Sequence, residues 1–331
     1  MDIRDRKQLQ AFATQRLAGA KEVSKIVVIF TALVLGSAAL VSLISDLLGA
    51  QINQAGGLGQ MQAKSIMSTA QSLLPILQSL AARCLEIGYL AAMLRLARGQ
   101  YASPKTLKLG FDRFWPLMRL PIIEWLIYSG IGFVSIYLSV MVYMLTPLSQ
   151  PVMDLLTPVL ESTSMLNPTL VLDEVLYSQL TTAMIPLFLL CAAVFCLLAF
   201  PVIYRYRMAQ YVLIDRPELG ALAVLRESRM MMRGHRIQLL RLDLSMWWFY
   251  LGLFAANLLF YADVLLALFG ISLPISGTAA HYLCYGLYLA GLFAVYYFLR
   301  SRAEVTYALA YDSLKPKQEP TGAVLGNIFQ M

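Results

Sequence analysis

Apolar residues in this chain come in runs long enough to cross a lipid bilayer, and the basic residues gather in the segments between those runs. A hydrocarbon core of about 30 Å takes roughly 20 helical residues. Runs at about 26–47, 73–94, 122–145, 184–203, 244–268 and 282–299 meet that length. Inside lipid every backbone N–H and C=O needs a partner within the protein, which a helix supplies by itself. The expected fold is therefore all-α, a polytopic membrane helix bundle of about six transmembrane helices. With 59% hydrophobic and only 14% charged residues, the chain is too apolar for a soluble domain that must cover itself with charge.

Charge placement gives the orientation. All of the 26 Lys and Arg except Lys64 and Arg83 lie in four places: before the first run, at 95–119, at 205–241 and after 299. The positive-inside rule puts these four on the cytoplasmic side of the membrane. Both termini are then cytoplasmic, and Asp46, Asp154, Glu161, Asp173 and Glu174 face outward. The organisation that follows is an amphipathic cytoplasmic segment at 1–25, a six-span membrane domain at 26–312 and a cytoplasmic tail at 313–331. Gly36, Ser37 and Ala38 offer small residues for signal cleavage, but the polar stretch before them is too long, so the first run reads as an uncleaved anchor. A net charge of +7 invites a nucleic-acid partner. The basic residues are instead dispersed among apolar spans, and nucleic acid is not expected as a partner.

Two basic segments read as amphipathic elbows on the membrane surface. In the second, Asp215, Pro217 and Glu218 form a helix-start pattern, and a helix is expected from near Arg216 or Pro217. Leu222, Leu225 and Met232 recur at helical spacing, with Arg226, Glu227, Arg229, Arg233 and Arg236 on the remaining surface. Such a helix lies on a leaflet with its guanidinium groups towards phosphates, which makes Arg226, Arg229, Arg233 and Arg236 candidate contacts to anionic lipid. Gly234 turns the chain, and Trp247, Trp248 and Tyr250 mark the water–lipid boundary of the fifth span. Ser103 and Pro104 repeat the start signal in a shorter first elbow, where Lys105, Lys108, Arg113 and Arg119 surround Leu107, Leu109, Phe111, Phe114 and Trp115.

The elbows also carry a family likeness. Asp215, Pro217, Glu218 and Gly220, then 227–229, Met232 with Gly234 and His235, and 242–245 resemble the signature of the bacterial integral membrane family termed domain of unknown function nine-seven-five. Gly88 with Tyr89, 97–99 and 109–114 fit its upstream pattern. The resemblance implies a membrane fold and brings no activity, cofactor or catalytic residue with it. A fainter likeness to membrane domains attached to glycerophosphodiester phosphodiesterases implies a lipid-related role.

Charges within the spans are the candidate chemistry. Arg83 lies about 18 Å from the Arg95 boundary at ~1.5 Å per residue, close to the middle of the bilayer. An isolated charge there costs at least ~2.5–3.5 kcal/mol. Glu86 follows at i+3 on the same face, so the two are expected to pair and to face protein or a wet cavity. That pair reads either as a substrate or proton site or as an internal ion pair fixing helix order. Asp263, in the fifth span without an obvious basic partner, is a further candidate, with contact to external water as its other reading. Glu124, Asp243 and Glu304 sit near Arg119, Arg241 and Arg302 and read as boundary salt bridges. The four cysteines show no C-x-x-C spacing and the two histidines are far apart, so neither a metal nor a cofactor is expected. No phosphate loop or acid–base constellation is present, which argues against an enzyme. Two functions fit: transport or lipid handling through a central cavity at Arg83 and Glu86, or a membrane scaffold or accessory subunit that binds anionic lipid or a cytoplasmic protein partner.

Overall fold

A computed structural model of the chain describes residues 5–20, 22–54, 61–162, 179–180, 182–262, 266 and 277–315. Among them the secondary structure is helical, without strands. The main helices are α1 (Arg6–Ala18), α2 (Val23–Gln54), α3 (Met61–Ala97), the short α4 (Leu109–Asp112), α5 (Phe114–Leu145), α6 (Gln150–Ser162), α7 (Ile185–Tyr206), α8 (Ala209–Asp215), α9 (Ala221–Met231), α10 (Arg236–Ser245), α11 (Trp247–Phe260), α12 (Gly277–Val295) and α13 (Ser301–Leu314). A π-helical turn at Tyr296–Arg300 joins α12 to α13. Four stretches are long and apolar enough to cross a membrane: Val23–Gln51, Phe114–Leu145, Ile185–Asp215 and Ala279–Leu314. The pair α10 and α11, bent by 60°, makes a fifth when taken as one broken span. The protein is thus an α-helical membrane protein. The remaining apolar run, 73–94, lies within α3, a helix of 37 residues.

The chain divides into two compact units, Met1–Leu120 with Met208–Met331, and Pro121–Arg207. In the second unit the outward faces of α5 and α7 are strongly apolar. Phe133, Leu145 and Leu197 are each at least 75% exposed, a surface that water would penalise and hydrocarbon would not. Tyr143 is buried in that unit and donates from its Oη to the Ala183 carbonyl at 3.2 Å.

The first unit is built around α13. This helix buries Ala303, Val305, Thr306, Tyr307, Ala308, Leu309, Ala310 and Tyr311, and its alanines allow α1 and α3 to approach closely. The apolar run that seemed to stop at 299 therefore continues as helix into the core of this unit. α1 contributes Leu9 and Ala13, both fully buried; its start is capped by Asp5, whose side chain accepts from the Gln8 N–H at 3.2 Å. α2 packs along α3, and α11 along α12.

Glycines set the distance between α3 and the first basic segment. A methyl group on Gly88 would strike the Leu107 backbone, and one on Gly110 would strike the Cys84 backbone, so only hydrogen fits at either place. The segment itself starts at Pro104, after Ser103, as a 3₁₀ turn over Pro104–Lys108. Ser103 makes no side-chain capping bond there.

The second basic segment does not start where its sequence pattern suggests. Asp215 is the last residue of α8, Arg216 is non-helical at φ −134°, and α9 begins after Gly220. Pro217 and Glu218 occupy the turn between the two helices. The reason is competition: the Asp215 carboxylate is taken by distant cations and a tyrosine, as described below, so it does not cap a helix of its own. α9 then turns Val224, Leu225, Ser228 and Met231 into the protein, while Leu222 and Met230 remain 72% and 63% exposed. Gly234, at φ +86°, reverses the chain into α10 as its sequence position implied. The two basic segments meet at a cavity of about 500 Å³ lined by Phe111, Trp115, Pro217 and Glu218 among others.

Candidate functional site

Arg83 and Glu86 are paired as their spacing requires, with Arg83 Nη1 donating to Glu86 Oε2 at 2.8 Å. The other carboxylate oxygen goes elsewhere. Glu86 Oε1 accepts from Arg300 Nη2, also at 2.8 Å. Of the two arginines Arg300 is the buried one, with 11% of its side chain exposed against 58% for Arg83. Its guanidinium carbon sits 5.0 Å from the ring centre of Phe30, 5.4 Å from Tyr89 and 4.7 Å from Tyr296. Phe30 and Tyr89 stack at 4.3 Å to form one wall, and Glu304 Oε1 lies 3.8 Å from Arg300 Nε. A desolvated cation over aromatic faces gains up to about 2 kcal/mol or more. The π-turn that ends on Arg300 inserts an extra residue per turn at this point, a device common where a helix must aim one side chain. Sequence reading assigned Arg300 to the basic boundary set. Its i+4 relation to Glu304 was the local signal available; its partnership with Glu86 spans 214 residues.

From Glu304 the polar contacts continue along α13. Glu304 Oε2 accepts from Tyr211 Oη at 3.0 Å, and Tyr211 stacks on Tyr311 with centroids 5.6 Å apart. Tyr311 Oη donates to Asp215 Oδ2 at 3.1 Å. Asp215 also receives a two-pronged contact from Arg98, at 2.6 and 2.8 Å, and a third cationic contact from Lys315 at 2.9 Å. Arg98 turns its remaining edge to Asp312, with Nη2 at 2.7 Å and Nε at 3.1 Å. Forked contacts of this kind fix orientation as well as charge. The ends of α3, α8 and α13 are thereby tied at one point. Asp243 is buried as well, accepting from Tyr307 Oη at 2.6 Å, with Tyr250 Oη 2.9 Å from that tyrosine. Asp263 lies outside the described residues.

The four arginines expected at lipid come together. Arg226 and Arg229 on α9, Arg233 in the following turn and Arg236 at the start of α10 line one groove of about 390 Å³, with Met230 between them. The first three are exposed and Arg236 is half-buried. Among the described residues none of the four has a carboxylate within ion-pair distance. The nearest acid in sequence, Glu227, is paired with Arg216. The Arg236 Nε is shielded from solvent and has no hydrogen-bond partner among the described residues.

Residues 1–315 match the family described as Protein of unknown function (DUF975). The chain belongs to this family. No curated protein and no solved structure matches it. In this DUF975 member, the residues that carried the resemblance have structural work. Gly88 and Gly110 permit the contact of α3 with the first basic segment, Arg98 and Asp215 tie α3 to α8, and Gly99 and Gly234 take the left-handed backbone conformations that end their helices. Arg229 and Gly234 also shape the arginine groove.

Proposed function

We propose that this DUF975 protein is a six-span protein of the bacterial inner membrane, with both termini cytoplasmic, that acts as a non-enzymatic scaffold or accessory subunit holding anionic lipid at its cytoplasmic face. The observation that carries this reading is the arginine groove: four cations converge on one place without a counter-charge among the described residues. Had they been partners of neighbouring segments, carboxylates within reach would be expected. Leu222, Ile237, Leu244 and Trp247, each more than 60% exposed on α9 to α11, suit contact with acyl chains next to the headgroups. At roughly 1 kcal/mol per basic residue beside an anionic leaflet, the four contribute about 4 kcal/mol before entropic losses.

The transport reading is less well supported by the contacts of Glu86. One of its oxygens is bonded to Arg83 and the other to Arg300, so the carboxylate is committed to protein cations. Arg83 and Glu86 are better read as part of the framework that holds α3 against α13.

The test is thermal unfolding of the delipidated, detergent-solubilised protein with added lipid. Phosphatidylglycerol is expected to raise the melting temperature and phosphatidylcholine to leave it unchanged, because a ligand stabilises in proportion to its binding to the folded state. The gain is expected to shrink in high salt and in a variant with Arg226, Arg229, Arg233 and Arg236 changed to Gln. Equal gains from both lipids would contradict the proposal.

A further inference from the structure

We infer that the groove takes a single lipid headgroup bearing two phosphodiesters, as in cardiolipin, with two arginines serving each phosphate. The inference rests on the reading of the groove as an anionic-lipid site and adds valence and stoichiometry to it. Its first support is placement. Arg226 and Arg229 lie on α9, Arg233 in the turn that follows and Arg236 at the start of α10. Gly234 then reverses the chain at φ +86° and returns Arg236 to the same groove. The result is a cluster on two helices and the turn between them, a shape that encloses an extended ligand better than it serves a flat leaflet.

Valence is the second support. A phosphodiester presents two non-bridging oxygens, and a guanidinium presents a fork that engages such oxygens in pairs. A phosphodiester carries one negative charge, so four guanidinium groups in one groove are balanced better by two phosphodiesters than by one. Glu227, the acid within the row, is engaged by Arg216 and leaves the charge of the groove undiminished. A groove of about 390 Å³ falls in the range of specific small-ligand sites, which is roughly 300–1,000 Å³. The source of the phosphates is the membrane, because Met230 in the groove and Leu222 one turn before it are exposed apolar surfaces that a soluble anion would not use.

Native mass spectrometry of the full-length, delipidated protein in detergent would test this, with cardiolipin, phosphatidylglycerol at twice the concentration to match phosphate, phosphatidylcholine and inorganic pyrophosphate as probes. One cardiolipin per chain is expected, bound at least about tenfold more tightly than phosphatidylglycerol, since two further arginine contacts at roughly their surface value exceed a tenfold factor. The variant R226Q/R229Q removes two of the four cations and leaves enough for one phosphate. It should retain phosphatidylglycerol binding and lose the cardiolipin preference, with an unfolding temperature in lipid-free detergent like that of the parent. Equal binding of cardiolipin and phosphatidylglycerol at matched phosphate would overturn the two-phosphate inference and leave the lipid reading standing. Binding of neither above phosphatidylcholine would overturn both. Pyrophosphate binding as tight as cardiolipin, with the same dependence on the arginines, would overturn the lipid source.

Discussion

Glu86→Ala is expected to destabilise the protein by about 3–5 kcal/mol, the range for removing one partner of a buried ion pair, with the lower end favoured because Glu304 stays 3.8 Å from Arg300. The substitution leaves the Arg300 guanidinium inside its cage of Phe30, Tyr89 and Tyr296 without its closest counter-charge. Arg83→Ala should do far less, because that side chain is 58% exposed and its loss leaves Glu86 still bonded to Arg300. Replacing both buried partners, Glu86→Leu with Arg300→Met, should recover most of the loss, since no charge is then stranded. Denaturant unfolding in detergent micelles gives the comparison. Damage from Arg83→Ala equal to that from Glu86→Ala would show that the i,i+3 pair, and not the bridge to Arg300, holds the helices.

Asp215→Asn separates two roles for one residue. As a helix cap, asparagine is as good as aspartate, and the substitution would be nearly silent. As the acceptor for Arg98, Lys315 and Tyr311, the residue needs its charge, and hydrogen bonds to charged groups are worth about 1.5–3 kcal/mol each. A loss of roughly 3 kcal/mol is expected, close to that of Asp215→Ala, as Arg98 keeps Asp312. Stability unchanged in Asp215→Asn would return the residue to a capping role.

What the sequence made legible was local. A run of apolar residues states its own length: four of the six runs fall on helical stretches that pass for membrane spans by length and apolarity, a fifth falls partly on the bent pair α10 and α11, which passes when taken as one span, and the sixth lies in α3. The pairing of Arg83 with Glu86 follows from i,i+3 geometry, and the placing of Arg226 and Arg229 together follows from helical spacing, while Arg233 lies beyond the end of α9. The long-range partners were not legible. Arg98 meets Asp215 across 117 residues and Asp312 across 214, and neither separation leaves a trace in spacing. The same cause misplaced the start of α9, since an acid before a proline signals a cap only when no distant cation competes for it. α13 was missed as a core helix because its tyrosines and charged residues lower its hydropathy, yet those are the side chains that bond within the fold.

Site-directed labelling decides the arrangement on which the lipid-binding account depends. In a background lacking Cys84, Cys191, Cys196 and Cys284, single cysteines would be placed at Gln51 at the end of α2, Thr157 on α6 and Leu222 on α9, all exposed positions. With a membrane-impermeant maleimide, Gln51→Cys and Thr157→Cys are predicted to label in intact cells, and Leu222→Cys only after permeabilisation. Labelling of Leu222→Cys in intact cells would put the arginine groove on the outer face and contradict the account.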